Sequence, residues 1–248
     1  MKQVIQIRCK NNKKSQKVEI GSTLFDIFSA FDLKMTHGPV SARVNNKVEG
    51  MHYRVYNSKD VEFLDMTSSS GSRAYTRTLF FVLCKAVQDI YPATDVVIDI
   101  PVSNGFYVDI RLGRPVVDED VNIIRRRMQE IIDARMPIRR FTVPTEEAVA
   151  LFQEKGDVEK VKLLKTSGAI YTTYYKIGDY VDYYYGTLLT NTSQLYLFGL
   201  EKYYDGMLLR IPSLKNPDVL GEIDPGRTRC LRYSRSIIAG RVSWASGL

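Results

Sequence analysis

Few side chains in this sequence could begin a reaction. Two histidines, His37 and His52, and three widely spaced cysteines, Cys9, Cys84 and Cys230, are the candidates for metal binding or nucleophilic attack. Neither histidine has a second histidine, a cysteine or a carboxylate at ligand spacing, so both read as turn or surface residues and no metal site is expected. The cysteines make no CxxC knuckle and, being odd in number, no evident disulfide framework; a reduced, cytoplasmic chain follows. The carboxylate pairs Asp179/Asp182 and Glu146/Glu147 could share a proton, but both read as ordinary polar surface. Neither a GxxxxGK[ST] loop nor a GxGxxG after a strand is present, so no phosphate cradle of either kind is expected. No catalytic residue is assigned.

Binding is better represented. The formal net charge is +7, distributed as +5 over residues 1–64, −2 over residues 65–223 and +4 over residues 224–248. A polyanion contact needs clustered cations facing the phosphates. Lys10, Lys13, Lys14 and Lys17 crowd one short stretch and are the candidate nucleic-acid contacts. Arg125-Arg126-Arg127 lies among acidic neighbours on a helical pattern and reads as a solvated, ion-paired face.

The elements that must position these residues follow from periodicity. Val4, Ile5 and Ile7, then Val18 and Ile20, make two β-prone runs about a polar turn. Ser22 or Thr23 can cap a helix carrying Leu24, Ile27 and Phe28, and further strands are expected at 41–45 and 61–64. This is a compact unit of four strands and one helix over residues 1–65. The run TSSSGS reads as a flexible linker, placed at 66–73. A helix from Tyr75 to Tyr91 follows, stopped by Pro92, and Asn104-Gly105 signals a hairpin. Asp118 and Thr145 are read as caps of two more helices, with Gly156 as a stop, and from Ile170 aromatic and β-branched residues indicate antiparallel strands. Residues 74–223 therefore read as an α+β domain of antiparallel strands packed on helices. Residues 224–248 hold five arginines without a sustained period and are expected to form a weakly ordered basic tail. No stretch approaches the 18 or so apolar residues of a membrane span, and the opening MKQVIQIRCKNNKK is no signal peptide.

At this point the sequence resembles a family. Ile20-Gly21-Ser22-Thr23-Leu24, Ala42-Arg43-Val44-Asn45 and Asp60-Val61-Glu62-Phe63 resemble a TGS domain, a β-grasp module found in threonyl-tRNA synthetase. Tyr91-Pro92, Asn104-Gly105-Phe106-Tyr107-Val108-Asp109, Phe152 to Gly156 and Gly178-Asp179-Tyr180-Val181-Asp182 resemble the editing domain of the same synthetases. The resemblance implies a metal- or proton-handling HxxxH pair and a CxxxH pair. Counting from the matched motifs, those positions fall on Arg77, Phe81, Tyr184 and Leu188, none of which retains the family side chain. Phe and Leu offer no lone pair, so the implied chemistry is lost. Asn104, Tyr107 and Asp182 would line the same cleft. With Arg77 and the Tyr183–Tyr185 rings it could hold a nucleotide or single-stranded RNA, or it could be filled with apolar bulk. Alternation forbids all three rings from lining one pocket.

A TGS module with a degenerate editing-like domain resembles the N-terminal half of bacterial uridine kinase-like proteins. That resemblance implies a regulatory region without catalysis of its own, a P-loop kinase domain as partner, and ATP and Mg bound only there; this chain itself would need no cofactor. The run from Phe198 to Arg210 then reads as the junction toward the kinase. The alternative readings are a tRNA- or RNA-binding module and a trans-editing hydrolase.

Overall fold

The computed structural model describes residues 3–92, 94–102 and 104–222. Alternation at the start produces β1 (Val4–Cys9) and β2 (Ser15–Glu19), followed by α1 (Leu24–Ala30), β3 (Ser41–Val44), β4 (Lys47–Glu49) and β5 (Lys59–Leu64). They form a sheet of order β2-β1-β5-β3-β4 in which β1 and β5 run parallel and every other neighbour antiparallel. This is the β-grasp arrangement, with five strands where the periodicity suggested four. Ile7, Cys9, Val18, Val44, Val61 and Phe63 turn inward onto Leu24 and Ile27 of α1. Thr23 starts that helix: its Oγ1 accepts from Asp26 N at 3.2 Å, and Asp26 accepts from Thr23 N at 2.8 Å. Such a reciprocal cap is worth about 1 kcal/mol.

The expected linker is not one. Helix α2 runs Ser69–Ile90, and Ser68 caps it by accepting from Gly71 N at 3.0 Å. A Cβ on Gly71 would stand 1.9 Å from Asp65 O and 2.6 Å from a Val40 methyl. Small residues here serve close backbone approach, which composition alone reads as flexibility. Val40 and Met66 pack into the larger core with Tyr75, Leu79 and Phe81.

That core surrounds α2. Tyr75, Leu79, Phe81, Val82, Leu83, Ala86 and Val87 are all at 0% exposure, as befits a central helix apolar on nearly every side. Around it lie β6 (Val96–Val102), β7 (Gly105–Ile110), α3 (Asp118–Asp133), β8 (Arg139–Pro144), α4 (Thr145–Glu154) and α5 (Val158–Thr166). Then come β9 (Tyr171–Ile177), β10 (Tyr180–Tyr183), β11 (Gly199–Tyr203) and β12 (Gly206–Arg210). They make a three-stranded antiparallel sheet, β10-β9-β8, and a four-stranded one, β11-β12-β7-β6. With five helices and three sheets among the described residues, the fold is α+β.

Several local expectations shift. Thr145 is the first residue of α4 and donates to Ala169 O at 2.6 Å instead of capping. Asp118 opens α3, while Asp120 accepts from Val117 N at 2.9 Å and satisfies the helix start. The presumed kinase junction is the β11–β12 hairpin, in which Met207 pairs with Val108 and Leu209 with Phe106 of β7. No helix of the described residues is long and apolar enough to cross a membrane. The expectation for residues 224–248, including Cys230, lies outside the described residues.

Candidate nucleic-acid interface and the remodelled cleft

Lys10, Lys13, Lys14 and Lys17 are all exposed on the β1–β2 hairpin. The hairpin is held by Cys9 N donating to Lys14 O at 2.8 Å, with Lys13 in the left-handed region at φ 59°. Asn11 fixes it to β5: its side chain donates to Phe63 O at 2.9 Å and accepts from Phe63 N at 2.8 Å. Among the described residues, none of the four lysines has a carboxylate within ion-pair distance. Four uncompensated ammonium groups on a rigid hairpin can reach phosphates while staying hydrated.

The four degenerate positions divide. Phe81 and Leu188 are buried at 0% and 2% exposure, and Tyr184 at 8%. The Phe81 and Tyr184 rings meet edge-on with centroids 5.6 Å apart, and Tyr180 lies 5.1 Å from Phe81. Phe81, Tyr184 and Leu188 thus belong to one core. Arg77 is half-buried, and its guanidinium lies 2.8 Å from where a Gly186 Cβ would stand. Burial lowers the Arg77 pKa, with Arg73 one turn away adding to the effect. The three consecutive tyrosines go to three environments: Tyr183 packs beside Phe152 and Val181, Tyr184 enters the core, and Tyr185 is 70% exposed.

Beside this packing sits a polar network the sequence did not reveal. Asp182, expected at the surface, is 6% exposed. It accepts from Tyr180 Oη at 2.9 Å and Tyr183 N at 2.6 Å, and pairs with Lys160 Nζ at 2.7 Å. Lys160 also pairs with Asp157 at 2.7 Å. Burial works against the Lys160 ammonium, but Asp182 and Asp157 outweigh it and raise its pKa. Burial pushes the Cys84 thiol up to about 12, next to the Tyr180 and Tyr184 hydroxyls, whose own pKa values burial raises well above the ordinary. A protonated thiol in such surroundings is a poor nucleophile. Nothing in the local pattern marks Lys160 as a partner for Asp182, since it occupies the first turn of a short helix with a weak apolar face.

The remaining candidates are placed as follows. Asn104 donates to Glu222 O at 2.9 Å, and the Tyr107 ring meets Tyr203 at 6.2 Å. Asp179 pairs with Lys85 at 2.9 Å, while Glu146 and Glu147 are exposed at the start of α4. Arg127 pairs with Asp89 and Glu130, and Arg125 donates to the Asn122 side-chain carbonyl at 2.9 Å. His37 stacks on Tyr196 at 3.9 Å and reaches Asp218 at 2.8 Å. Burial lowers the His52 pKa against the opposing pull of the Thr190 and Ile138 backbone.

No protein-family model matches the chain. Among curated proteins it aligns with the threonine–tRNA ligase of Syntrophotalea carbinolica, 31% identical over 246 positions, covering 88% of this chain and 39% of the relative. The chain is similar to threonine–tRNA ligases. That of Acetivibrio thermocellus is 29% identical over 181 residues, covering 73% of this chain and 28% of the relative, and that of Clostridium kluyveri 29% over 193, covering 77% and 30%. The chain thus spans less than two fifths of the length of these relatives. The expectation of a nucleoside-kinase parent, with a P-loop partner domain, ATP and Mg, is overturned: the matched proteins are ligases that charge tRNA with threonine by name, and the expected junction is a sheet hairpin.

Proposed function

We propose that this chain is a tRNA-contacting module of the threonine–tRNA ligase type, gripping the RNA backbone through the β1–β2 hairpin. The observation that carries the reading is the cluster of Lys10, Lys13, Lys14 and Lys17, exposed and without carboxylate partners among the described residues. The names of the relatives supply the class of RNA. In this reading Arg77, Phe81, Tyr184 and Leu188 serve packing, and the split into units at 1–65 and 74–223 separates an RNA-gripping part from a scaffold.

The test is tRNA binding across a salt series. Each lysine that neutralises a phosphate adds about 0.7–0.9 to the slope of log affinity against log salt. Changing all four lysines to alanine should weaken binding and flatten that slope by about three units, whereas changing Arg125, Arg126 and Arg127 should do little. Equal losses from the two sets would remove the hairpin from the interface.

A further inference from the structure

A cleft of about 240 Å³ lies between the 50–53 segment of the first unit and strand β8. We propose that this cleft binds the phosphate ester of a nucleotide, with Arg140 holding the phosphate and Tyr53 lying against the base. The assignment is independent of the tRNA reading, because it concerns different residues and a ligand that can be supplied as a free mononucleotide.

Arg140 supplies the charge. It lies on the exposed side of β8 with 42% of its side chain accessible, and its carboxylate neighbour, Glu49, stands off at 3.9 Å. Elsewhere in the chain, arginines committed to structure sit closer: Arg114 to Asp120 at 2.6 Å, Arg43 to Glu62 at 2.7 Å. Glu49 is instead closed by Lys47 at 2.9 Å. The Arg140 fork therefore keeps donors available, and a planar guanidinium suits two phosphate oxygens at once. Arg140 and Arg77 both act on Tyr175, favouring its ionised form against the burial that raises its pKa. Arg140 and Lys47 against the single carboxylate of Glu49 leave this rim positive among the described residues.

The remaining walls decide what the phosphate is attached to. At roughly 30 Å³ per water the cleft would take about eight waters, more room than a bare phosphate needs. Ile138, Leu188 and Leu189, each no more than 2% exposed, close the floor of the cleft, and Tyr53 and His52 contribute rings to its lining. Partial desolvation lowers the His52 pKa against the pull of the Thr190 and Ile138 backbone, so its ring adds a flat polar surface. A charged fork together with the Tyr53 and His52 rings over a closed floor matches a nucleotide, whose base stacks while its phosphate pairs. Gly50 lines the same cleft. A Cβ there meets only ordinary contacts, the nearest being Leu188 O at 3.9 Å, so a larger side chain can be placed in the opening.

Calorimetric titration with adenosine 5′-monophosphate and with a five-nucleotide single-stranded RNA tests the proposal. The wild-type chain should bind at least one of them saturably at millimolar concentration or below. Arg140→Gln should weaken that binding about tenfold, the loss expected for a charge-assisted pair. Gly50→Leu should abolish it with an unchanged melting temperature, and the four-lysine variant should bind the mononucleotide as well as wild type. Mononucleotide binding that depends on Arg140 identifies a free nucleotide as ligand; dependence seen with the oligonucleotide alone identifies a nucleotide within an RNA chain. No saturable binding of either probe, or binding indifferent to both Arg140→Gln and Gly50→Leu, overturns the proposal and leaves the hairpin reading standing.

Discussion

Phe81 meets Tyr184 edge-on, ring centroids 5.6 Å apart and planes at 85°, and neither ring is more than 8% exposed. The contact bridges α2 and the segment after β10, the two places from which a family site would draw its side chains. Phe81→Ala should cost about 3–5 kcal/mol and Leu188→Ala about 2–5 kcal/mol, through lost burial and a residual cavity. Denaturant titration reads this directly. An unchanged midpoint for both would mean an open cleft. Phe81→His should also destabilise, since a buried imidazole lacks partners there.

The Lys160–Asp182 pair predicts a different signature. Asp182→Ala would leave a half-buried ammonium with Asp157 as its remaining carboxylate partner, and should cost about 1–3 kcal/mol. The double variant Lys160→Met with Asp182→Ala should lose much less than the sum of the two single changes, because the stranded charge is gone. Additive losses in a double-mutant cycle would show that the two groups do not act as a pair.

Acid should unfold the chain in two stages. Burial lowers the His52 pKa, so below the unfolded value of about 6.5 the unfolded chain binds the proton more readily and stability falls. His52→Gln should flatten that first slope. Asp120, 4% exposed, accepts from both Arg114 nitrogens at 2.6 and 2.7 Å, from Tyr91 Oη at 2.6 Å and from Val117 N at 2.9 Å. Arg114 above all, against the cost of burial, holds its carboxyl well below the usual range. Its contribution is therefore full above about pH 4 and is lost as pH falls further. Asp120→Asn should shrink that lower stage, leaving the smaller contributions of Asp26 and Asp179. Melting temperatures between pH 8 and pH 2 would decide both points.

Limited proteolysis should spare residues 67–72. Ser68 caps α2 there and Gly71 packs against Asp65 and Val40. Gly71→Ala should destabilise by on the order of 3 kcal/mol, as an atom forced into backbone requires. Early cleavage in this stretch, or a silent Gly71→Ala, would contradict the packed junction.

Sequence reasoning succeeded where local and tertiary demands agreed. Asn104-Gly105 stands at the β6–β7 hairpin, and Val121, Ile124, Met128 and Ile131 form the buried stripe of α3. It failed where tertiary contact overrode composition. The serines and glycine before Tyr75 read as a linker because their role, close approach to Asp65, is invisible locally. Helix α5 escaped notice because Leu164 is its single buried residue and Val158 is 74% exposed, so almost no apolar stripe exists to be seen. Asp182 and Lys160 carry ordinary surface identities, and their pairing, with Asp182 buried, emerges only when β10 and α5 come together. The four hairpin lysines were legible because exposure is the default for lysine.

The strand order of the four-stranded sheet also dictates a sequence of events during synthesis. The first sheet closes once β5 pairs with β1, joining Cys9 to Val61, and can form as soon as those residues clear the ribosome. The second cannot be completed early, because β12 inserts between β7 and β11 and joins Val108 to Met207. Until then the β6–β7 hairpin offers an unpaired edge for the time taken to make about a hundred more residues, several seconds at ordinary rates of translation. Nascent chains paused in that interval are the ones a chaperone would be needed to shield.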